Sequence, residues 1–412
     1  MRVLIVNTSE RTGGAAVAAN RIMEALNNNG VKAKMLVRDK ETEQITVASI
    51  GNHMLQQWRF LWERFVVFCH LHFSRKHLFD IDIANTGADI TTTREFKEAD
   101  LIHIHWINQG FLSLRSIRKI LDSGKPVVWT MHDVWPATAI CHLTMNCRRF
   151  VSRCQGCRLL PDNGGDNDLA SKIWQRKKEI YDTHDISFVA CSKWLASEAK
   201  KSALLTGHPV AAIPNPIDTH VFCPGDRQLA ARASSLPADK RIILFVSQRT
   251  TNPYKGMDYL AEAVNKIGDK DIELVMLGSK ETGIAERVRD TKVHAMGYIS
   301  DPDIIRKAYS AADAFVLPSL SENLPNTIME AMACQTPCVG FDVGGIPEMI
   351  DHKENGYVAQ YRDADDLAEG LAYVLQYADA LGARCREKVI REYSEDAVAE
   401  KYIKIYESCV EY

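Results

Sequence analysis

The sequence predicts an α/β protein of two doubly wound domains, each a parallel sheet with helices on both faces. Short β-rich runs alternate with helical stretches along the whole chain, which is the pattern of such sheets. The chain has 412 residues, which is too many for one hydrophobic core and suits two. Two prolines stiffen residues 213–218, between two such series, and mark the predicted boundary.

The first domain is predicted to span residues 1–214 and the second residues 215–393. Buried β-rich runs lie at residues 3–6, 34–37, 101–104, 127–130 and 188–191, and then at 242–246, 273–277, 314–317 and 337–340. A last helix over 394–412, opened by a capping Ser394, is expected to pack back on the first domain. Doubly wound sheets bind ligands at the carboxyl ends of their strands, so the two domains are expected to face each other across a cleft.

The composition argues against a nucleic-acid-binding, a secreted or a membrane-spanning protein. Hydrophobic residues make up 46% and charged residues 25%, and the formal net charge is −3, so no global field attracts nucleic acid. The apolar run at the amino terminus is too short for a signal peptide, and charges interrupt the other apolar runs. Eleven scattered cysteines argue against a secreted disulfide framework. A cytoplasmic protein is expected.

The densest motif lies in the second half. A strand ends near Pro318, a polar loop carrying Glu322 follows, and a helix is predicted to begin at Pro325 or Asn326, with Glu330 inside it. The free amides of a first helical turn form an anion site, and proline suits that turn. The alternative is that both carboxylates are solvated charges at a helix start.

This motif resembles the donor site of the family 4 retaining glycosyltransferases, which have the GT-B fold of two Rossmann-like domains. The resemblance rests on Glu322, seven intervening residues and Glu330, with Asn323, Leu324, Pro325 and Asn326 between them. It implies that Glu322 contacts hydroxyls of the transferred sugar and that Glu330 contacts the ribose of the nucleotide.

Two cations follow the first strand of the second half. Arg249 and Lys255 leave a strand end, and two positive charges suit a diphosphate leaving group. The resemblance implies the same role, while ordinary surface charge is the alternative. No Asp-x-Asp motif in this loop is placed to hold magnesium, which favours the two cations as its substitute and predicts no catalytic cofactor.

Three further segments are assigned through the resemblance. Gly278 ends a strand, and Tyr298 and Ile299 lie after His294; in relatives a segment like the second holds the base through backbone groups. Residues 341–348 either shape the donor pocket or form a structural turn.

The first half carries the predicted acceptor side. Gly13 and Gly14 open a helix after the first strand and allow close approach of a ligand, but the three-glycine dinucleotide fingerprint of a dehydrogenase is incomplete. His132 follows a strand directly and is predicted to act at the reactive carbon, oriented by Asp133. The alternative is a structural histidine.

Two groups in the first half have the composition of metal ligands. His103 and His105 share one face of a strand, as a metal pair or as cleft lining. Cys141, Cys147, Cys154 and Cys157 lie within a short segment. They predict either a small structural zinc site or a chance cluster of buried thiols. A cysteine-rich insert of this kind is similar to one in some exopolysaccharide transferases of the family.

An aromatic stripe runs through residues 58–79. Its members recur at helical spacing, namely Trp58, Leu61, Trp62, Phe65, Val66, Cys69 and Phe73. Basic residues flank them, including Arg59, Arg64, Arg75 and Lys76. Such a stripe indicates either a helix at a membrane surface or a helix packed on the protein core.

The motifs together predict a retaining transfer of sugar from a UDP- or GDP-sugar. The resemblance to capsular and exopolysaccharide enzymes implies a glycan or glycolipid acceptor in polysaccharide biosynthesis. Peripheral membrane contact through residues 58–79 is one of the two interpretations of the aromatic stripe. A phosphorylase, a nucleotide-sugar epimerase and a non-catalytic nucleotide-sugar binding subunit remain alternatives.

Overall fold

The chain divides into two compact units in the computed structural model. The structure describes residues 1–247, 253–278, 283, 284, 286–299 and 301–410. The first unit comprises Met1–Pro214 and Val398–Tyr412, and the second comprises Asn215–Ala397. Among the described residues, no helix is long and apolar enough to cross a membrane.

The described strands of the first unit form one parallel sheet. In chain order they are β1 (Arg2–Ser9), β2 (Lys32–Asp39), β3 (Val47–Ser49), β4 (Leu101–Ile104), β5 (Val127–Met131), β6 (Ser187–Ala190) and β7 (Val210–Ala212). Their spatial order is β3-β2-β1-β4-β5-β6-β7. Leu4 and Val6 pack into one hydrophobic cluster and Val3 and Ile5 into another, so apolar side chains cover both faces of the sheet.

Helices cover this sheet. They are α1 (Gly14–Asn28), α2 (His53–His70), α3 (Arg94–Glu98), α4 (Leu114–Asp122), α5 (Leu169–Tyr181) and α6 (Lys193–Lys200). The hydroxyl of Tyr402, near the end of the chain, lies 2.9 Å from Thr130 Oγ1 on β5.

The second unit repeats this architecture. Its strands are β8 (Arg241–Ser247), β9 (Ile272–Gly278), β10 (Val293–Gly297), β11 (Ala314–Leu317), β12 (Cys338–Phe341) and β13 (Gly356–Ala359). They pair in parallel in the order β10-β9-β8-β11-β12-β13, over the part of the unit that the structure describes.

The helices of the second unit alternate with these strands. They are α7 (Arg227–Ala233), α8 (Met257–Ile267), α9 (Pro302–Ala311), α10 (Asn326–Ala333), α11 (Ile346–Met349), α12 (Ala364–Gln376) and α13 (Ala378–Tyr393). The last helix of the chain, α14 (Glu395–Val410), begins in this unit and ends in the first. The predicted α/β class with two doubly wound sheets is confirmed.

The aromatic stripe departs from the prediction in two ways. Helix α2 begins at His53 and ends at His70, so residues 71–79 lie beyond it. Arg64, predicted as a flanking surface charge, is buried, whereas Trp58, Leu61, Trp62 and Phe65 are exposed. These four exposed side chains are therefore not packed on the core, although Val66 of the stripe is. Charged partners hold the opposite face of the helix inward.

Candidate active site

The predicted donor residues flank the point where the second sheet reverses its strand order. Strands β8 and β11 are spatial neighbours, although β9 and β10 lie between them in the chain. Lys255 lies in the turn after β8, and Glu322 lies in the loop after β11. Parallel strands end at one edge of the sheet, and doubly wound sheets bind ligands at this switch point.

The structure brings Lys255 and Glu322 together. The ammonium nitrogen of Lys255 lies 2.6 Å from Oε1 of Glu322, and the two side chains are 29% and 16% exposed. The pair is thus shielded but still reachable from solvent. Arg249, the other predicted cation, lies outside the described residues.

Two glycines hold the loops of this pair in close contact. At Gly256 (φ +68°) a Cβ atom would lie 1.8 Å from the carbonyl oxygen of Pro318, and at Gly344 (φ +60°) 1.8 Å from that of Glu322. Only glycine combines this backbone conformation with so close an approach. The amide of Gly345 also donates to the carbonyl of Asn323, at 2.8 Å. The segment 341–348 therefore supports the loop that carries Glu322.

Helix α10 begins at Asn326, directly after Pro325. Leu324 and Pro325 are buried, and the side chain of Asn326 accepts a hydrogen bond from Asn215, at 3.1 Å. These contacts fix the start of the helix. The helix begins at Asn326, one of the two starts that the sequence predicted.

Glu330 has a partner that the sequence did not reveal. The hydroxyl of Tyr309, on α9, donates to Oε2 of Glu330 at 3.1 Å. Burial raises the pKa of Tyr309 well above its usual value, so the phenol remains a donor at neutral pH. A tyrosine on an apolar helix face gives no sequence signal for this role, because it has the pattern of a core residue.

The predicted base-binding residues lie on the same edge of the sheet. Gly278 ends β9 with φ +132°, and Tyr298 and Ile299 follow β10. The Tyr298 side chain is 68% exposed. Among the described residues, no hydrogen bond or ion pair joins Gly278, Tyr298 or Ile299 to Lys255 or Glu322.

In the first unit, the predicted residues again follow strands. Gly13 (φ +94°) precedes α1, which begins at Gly14, and a Cβ atom at Gly13 would meet open space. His132 follows β5, and its Nε2 lies 2.9 Å from Nδ1 of His105. Burial lowers the pKa of His132 to about 4, so the imidazole is neutral at pH 7 and can accept or donate a proton.

Asp133 has other partners than the predicted one. Its Oδ2 accepts from the indole of Trp106 at 2.9 Å and lies 2.7 Å from Nδ1 of His142. The other nitrogen of His142 lies 3.2 Å from Asp82. Burial alone would lower the pKa of His142, but Asp133 and Asp82 raise it to about 10. His142 is thus an imidazolium between two carboxylates, which sequence reasoning missed.

His103 is structural. Its ring nitrogens lie 2.8 Å from Thr130 Oγ1 and 2.7 Å from the hydroxyl of Tyr406, and burial lowers its pKa to about 3. Both nitrogens are occupied by protein hydroxyls, so the interpretation of His103 and His105 as a metal pair is wrong.

The structure does not support the predicted zinc site. Over the described ranges, no three His, Cys, Asp or Glu side chains are grouped to hold a metal ion; the four sulfurs of Cys141, Cys147, Cys154 and Cys157 are included in this statement. Burial raises the pKa of Cys141 to about 12 and that of Cys154 to about 11.

Comparisons with known proteins agree with the fold. The profile described as Glycosyltransferase Family 4 matches residues 12–221, and that described as Glycosyl transferases group 1 matches residues 240–377. The alpha-maltose-1-phosphate synthase of Mycolicibacterium smegmatis is 32% identical over 346 residues, which cover 78% of this chain and 82% of that enzyme. Other curated relatives match over about half their length, 48% and 53% in two cases.

Solved structures share the architecture. The sucrose-phosphate synthase from Thermosynechococcus elongatus superposes with a TM-score of 0.66 at 17% identity, covering 99% of this chain and 98% of that one. The Anabaena protein HepE, solved with UDP and glucose, gives 0.63 at 16% identity and covers 99% and 100%. With both halves of the chain matched and both sheets doubly wound, the chain belongs to the family 4 glycosyltransferases, with the GT-B fold.

Proposed function

We propose that this chain transfers a sugar from a nucleoside-diphosphate sugar to an acceptor hydroxyl, with retention of the anomeric configuration. The observation that carries the proposal is the Lys255–Glu322 pair at the switch point of the second sheet. An ammonium group and a carboxylate at hydrogen-bond distance offer one partner for a phosphate and one for a sugar hydroxyl.

The predicted donor-site residues of the second unit each have a role in this proposal. Lys255, with Arg249, neutralises the charge that develops on the departing diphosphate. Glu322 accepts from hydroxyls of the transferred sugar, and Glu330, positioned by Tyr309, accepts from the ribose. The positive end of the α10 dipole contributes to phosphate binding.

The first unit supplies the acceptor side. His132, neutral at pH 7, hydrogen-bonds near the reacting carbon, and the open space beside Gly13 lets a ligand approach the backbone closely. Retention is expected to follow a front-face course, in which the leaving phosphate assists loss of the acceptor proton.

The donor is proposed to be a UDP- or GDP-sugar. HepE, which shares the fold, was solved with UDP and glucose, and this favours UDP as the first compound to test. The acceptor is proposed to be a lipid-linked or growing polysaccharide glycan in the cytoplasm, at the inner face of the membrane.

A product assay tests the proposal. The purified chain is incubated with UDP- and GDP-sugars, with and without glycolipid acceptors, and the products are separated and their anomeric configuration read by NMR. Donor-dependent glycoside of unchanged configuration is the expected result. Release of sugar phosphate that requires inorganic phosphate, or an altered donor sugar without acceptor, would instead establish a phosphorylase or an epimerase. Donor binding with no turnover would establish a binding subunit.

A further inference from the structure

Helix α2 presents its apolar face to solvent. Met54, Trp58, Leu61, Trp62 and Phe65 are 82%, 55%, 62%, 43% and 54% exposed. They recur at helical spacing and form one stripe along about three turns, here called the apolar ridge. An ordinary surface helix of a globular protein turns such a stripe inward.

The polar face of the same helix is buried and fixed. Glu63 and Arg64 are 0% and 6% exposed. Arg64 donates to Asp82 Oδ1 at 2.7 Å and to the carbonyl oxygen of Leu78 at 2.6 Å. The amide of Ala84 donates to Glu63 at 2.7 Å.

These bonds determine which side of α2 faces out. Rotating the helix to bury the apolar ridge would separate Arg64 from the buried Asp82, and Glu63 from the backbone amides of Ile83 and Ala84, which is unfavourable. The exposure of the ridge is therefore a property of the folded unit, and the ridge requires an apolar surface from outside the chain.

The ridge has the chemistry of an interfacial helix. Trp58 and Trp62 stack with ring centroids 5.7 Å apart and planes 8° from parallel, and Trp62 and Phe65 lie 6.0 Å apart. Tryptophan favours the boundary between headgroups and acyl chains. Stacking also orders the rings before they meet a partner.

The charges around the ridge favour an anionic surface. The acidic residue of α2 is Glu63, which is buried. Beyond the helix, Arg75 and Lys76 are exposed beside the exposed Phe73, and the nearby acid Asp80 is paired with His77 at 2.6 Å. Exposed apolar and basic residues without an opposing free acid on the helix match a bilayer that carries anionic lipid.

We infer that the apolar ridge, with Arg75 and Lys76, docks the first unit on the surface of an anionic phospholipid bilayer. The aromatic side chains enter the headgroup region, and the basic pair lies among the phosphates. A glycolipid acceptor would be held at the same surface. Vesicle binding needs neither donor nor acceptor, so this inference stands or falls separately from the transferase activity.

Vesicle flotation of the full chain tests the inference. Vesicles of phosphatidylcholine alone and of equal parts phosphatidylcholine and phosphatidylglycerol are compared. We expect the chain to float with the anionic vesicles and to bind the neutral ones far more weakly. The double variant L61E/F65E is expected to lower binding by about tenfold or more, since it removes two apolar side chains from the contact.

The matched control is Leu229→Glu. Leu229 is 65% exposed on a helix of the second unit, against 62% for Leu61, so L229E matches the single variant L61E in added charge and exposure, and L61E is expected to bind the anionic vesicles more weakly than the parent chain. We expect L229E to float like the parent chain. Circular dichroism and thermal unfolding of each variant verify that the fold is retained, as the side chains concerned are exposed.

Three outcomes would overturn the inference. A parent chain that stays unbound with anionic vesicles would do so, as would L61E/F65E binding to the same extent as the parent. The third is self-association by sedimentation that L61E/F65E abolishes while vesicle binding is absent, since the occupant of the ridge would then be a second copy. The variant R75E/K76E separates the charge contribution: it is expected to lose the preference for phosphatidylglycerol.

Discussion

The ammonium nitrogen of Lys255 and the carboxylate of Glu322 lie 2.6 Å apart, although 67 residues separate them in the chain. Each follows a different strand, and the strands are neighbours at the switch point of the second sheet. In the absence of donor, each charge is thus held by the other. A bound diphosphate would pair with the ammonium group of Lys255. The carboxylate of Glu322 could then accept a hydrogen bond from a sugar hydroxyl.

Replacement of Lys255 tests this arrangement first. K255A is expected to lower kcat for transfer by about 100-fold or more, because a charge on the leaving group loses its partner. The thermal midpoint should change little, as a partly exposed pair contributes about 1 kcal/mol or less. The control is K266A, which removes a lysine paired with Glu262 and Asp365 on the surface of α8. Full activity of K255A would remove this residue from the site.

The bond between Tyr309 and Glu330 gives a second prediction. E330Q is expected to weaken donor binding by about tenfold, since a hydrogen bond to a charged acceptor contributes about 1.5–3 kcal/mol. Y309F leaves the carboxylate in place but removes the hydroxyl that donates to it, and a smaller loss of affinity is expected. Calorimetric titration of each variant with the nucleoside diphosphate measures the difference. Equal affinity of E330Q and the parent chain would contradict the ribose role.

Gly344 gives a prediction about the loop that carries Glu322. G344A places a methyl group 1.8 Å from the carbonyl oxygen of Glu322, so the loop must shift and donor affinity should fall by about tenfold or more. G268A is the matched control, because Gly268 also has φ +60° but its nearest atoms lie 4.0 Å from a Cβ. Both variants carry the backbone strain, whereas only G344A carries the clash. A similar effect of both on donor binding would argue against the support of Glu322 by Gly344.

The buried His103 leads us to expect that the free energy of unfolding falls in acid. Burial lowers its pKa from 6.5 in the unfolded chain to about 3, so its neutral form stabilises the folded state above pH 6.5. That contribution is lost as pH falls toward 3, by roughly 1.4 kcal/mol per pH unit. H103Q stays neutral and can still bond Thr130 and Tyr406. It is expected to flatten the decline measured by urea unfolding between pH 6.5 and pH 4.

The exposed His220 provides the control for this experiment. H220Q should leave the slope of stability against pH unchanged. If H103Q keeps the slope of the parent chain, the acid sensitivity must arise elsewhere.

Much of the architecture follows from local sequence patterns. Buried β-rich runs alternating with helical stretches led to two doubly wound sheets, because each run is apolar enough to be covered on both faces. The edge strands β3, β7, β10 and β13 were missed. The first three have at most one buried residue each, and β13 is only four residues long and begins at Gly356. The start of α10 followed from Pro325 and Asn326, whose conformational preferences act within one turn.

The sequence alone determined the two-domain α/β fold, the donor motif around Glu322 and Glu330, and the aromatic stripe of α2. Only the tertiary structure decided which partners these residues have. Asp133 bonds Trp106 and His142, Glu330 bonds Tyr309, and α2 turns its stripe outward because Glu63 and Arg64 meet buried partners far along the chain. Periodicity specifies that a helix has two different faces. Long-range pairing of buried charged and polar groups decides which of the two faces packs inward.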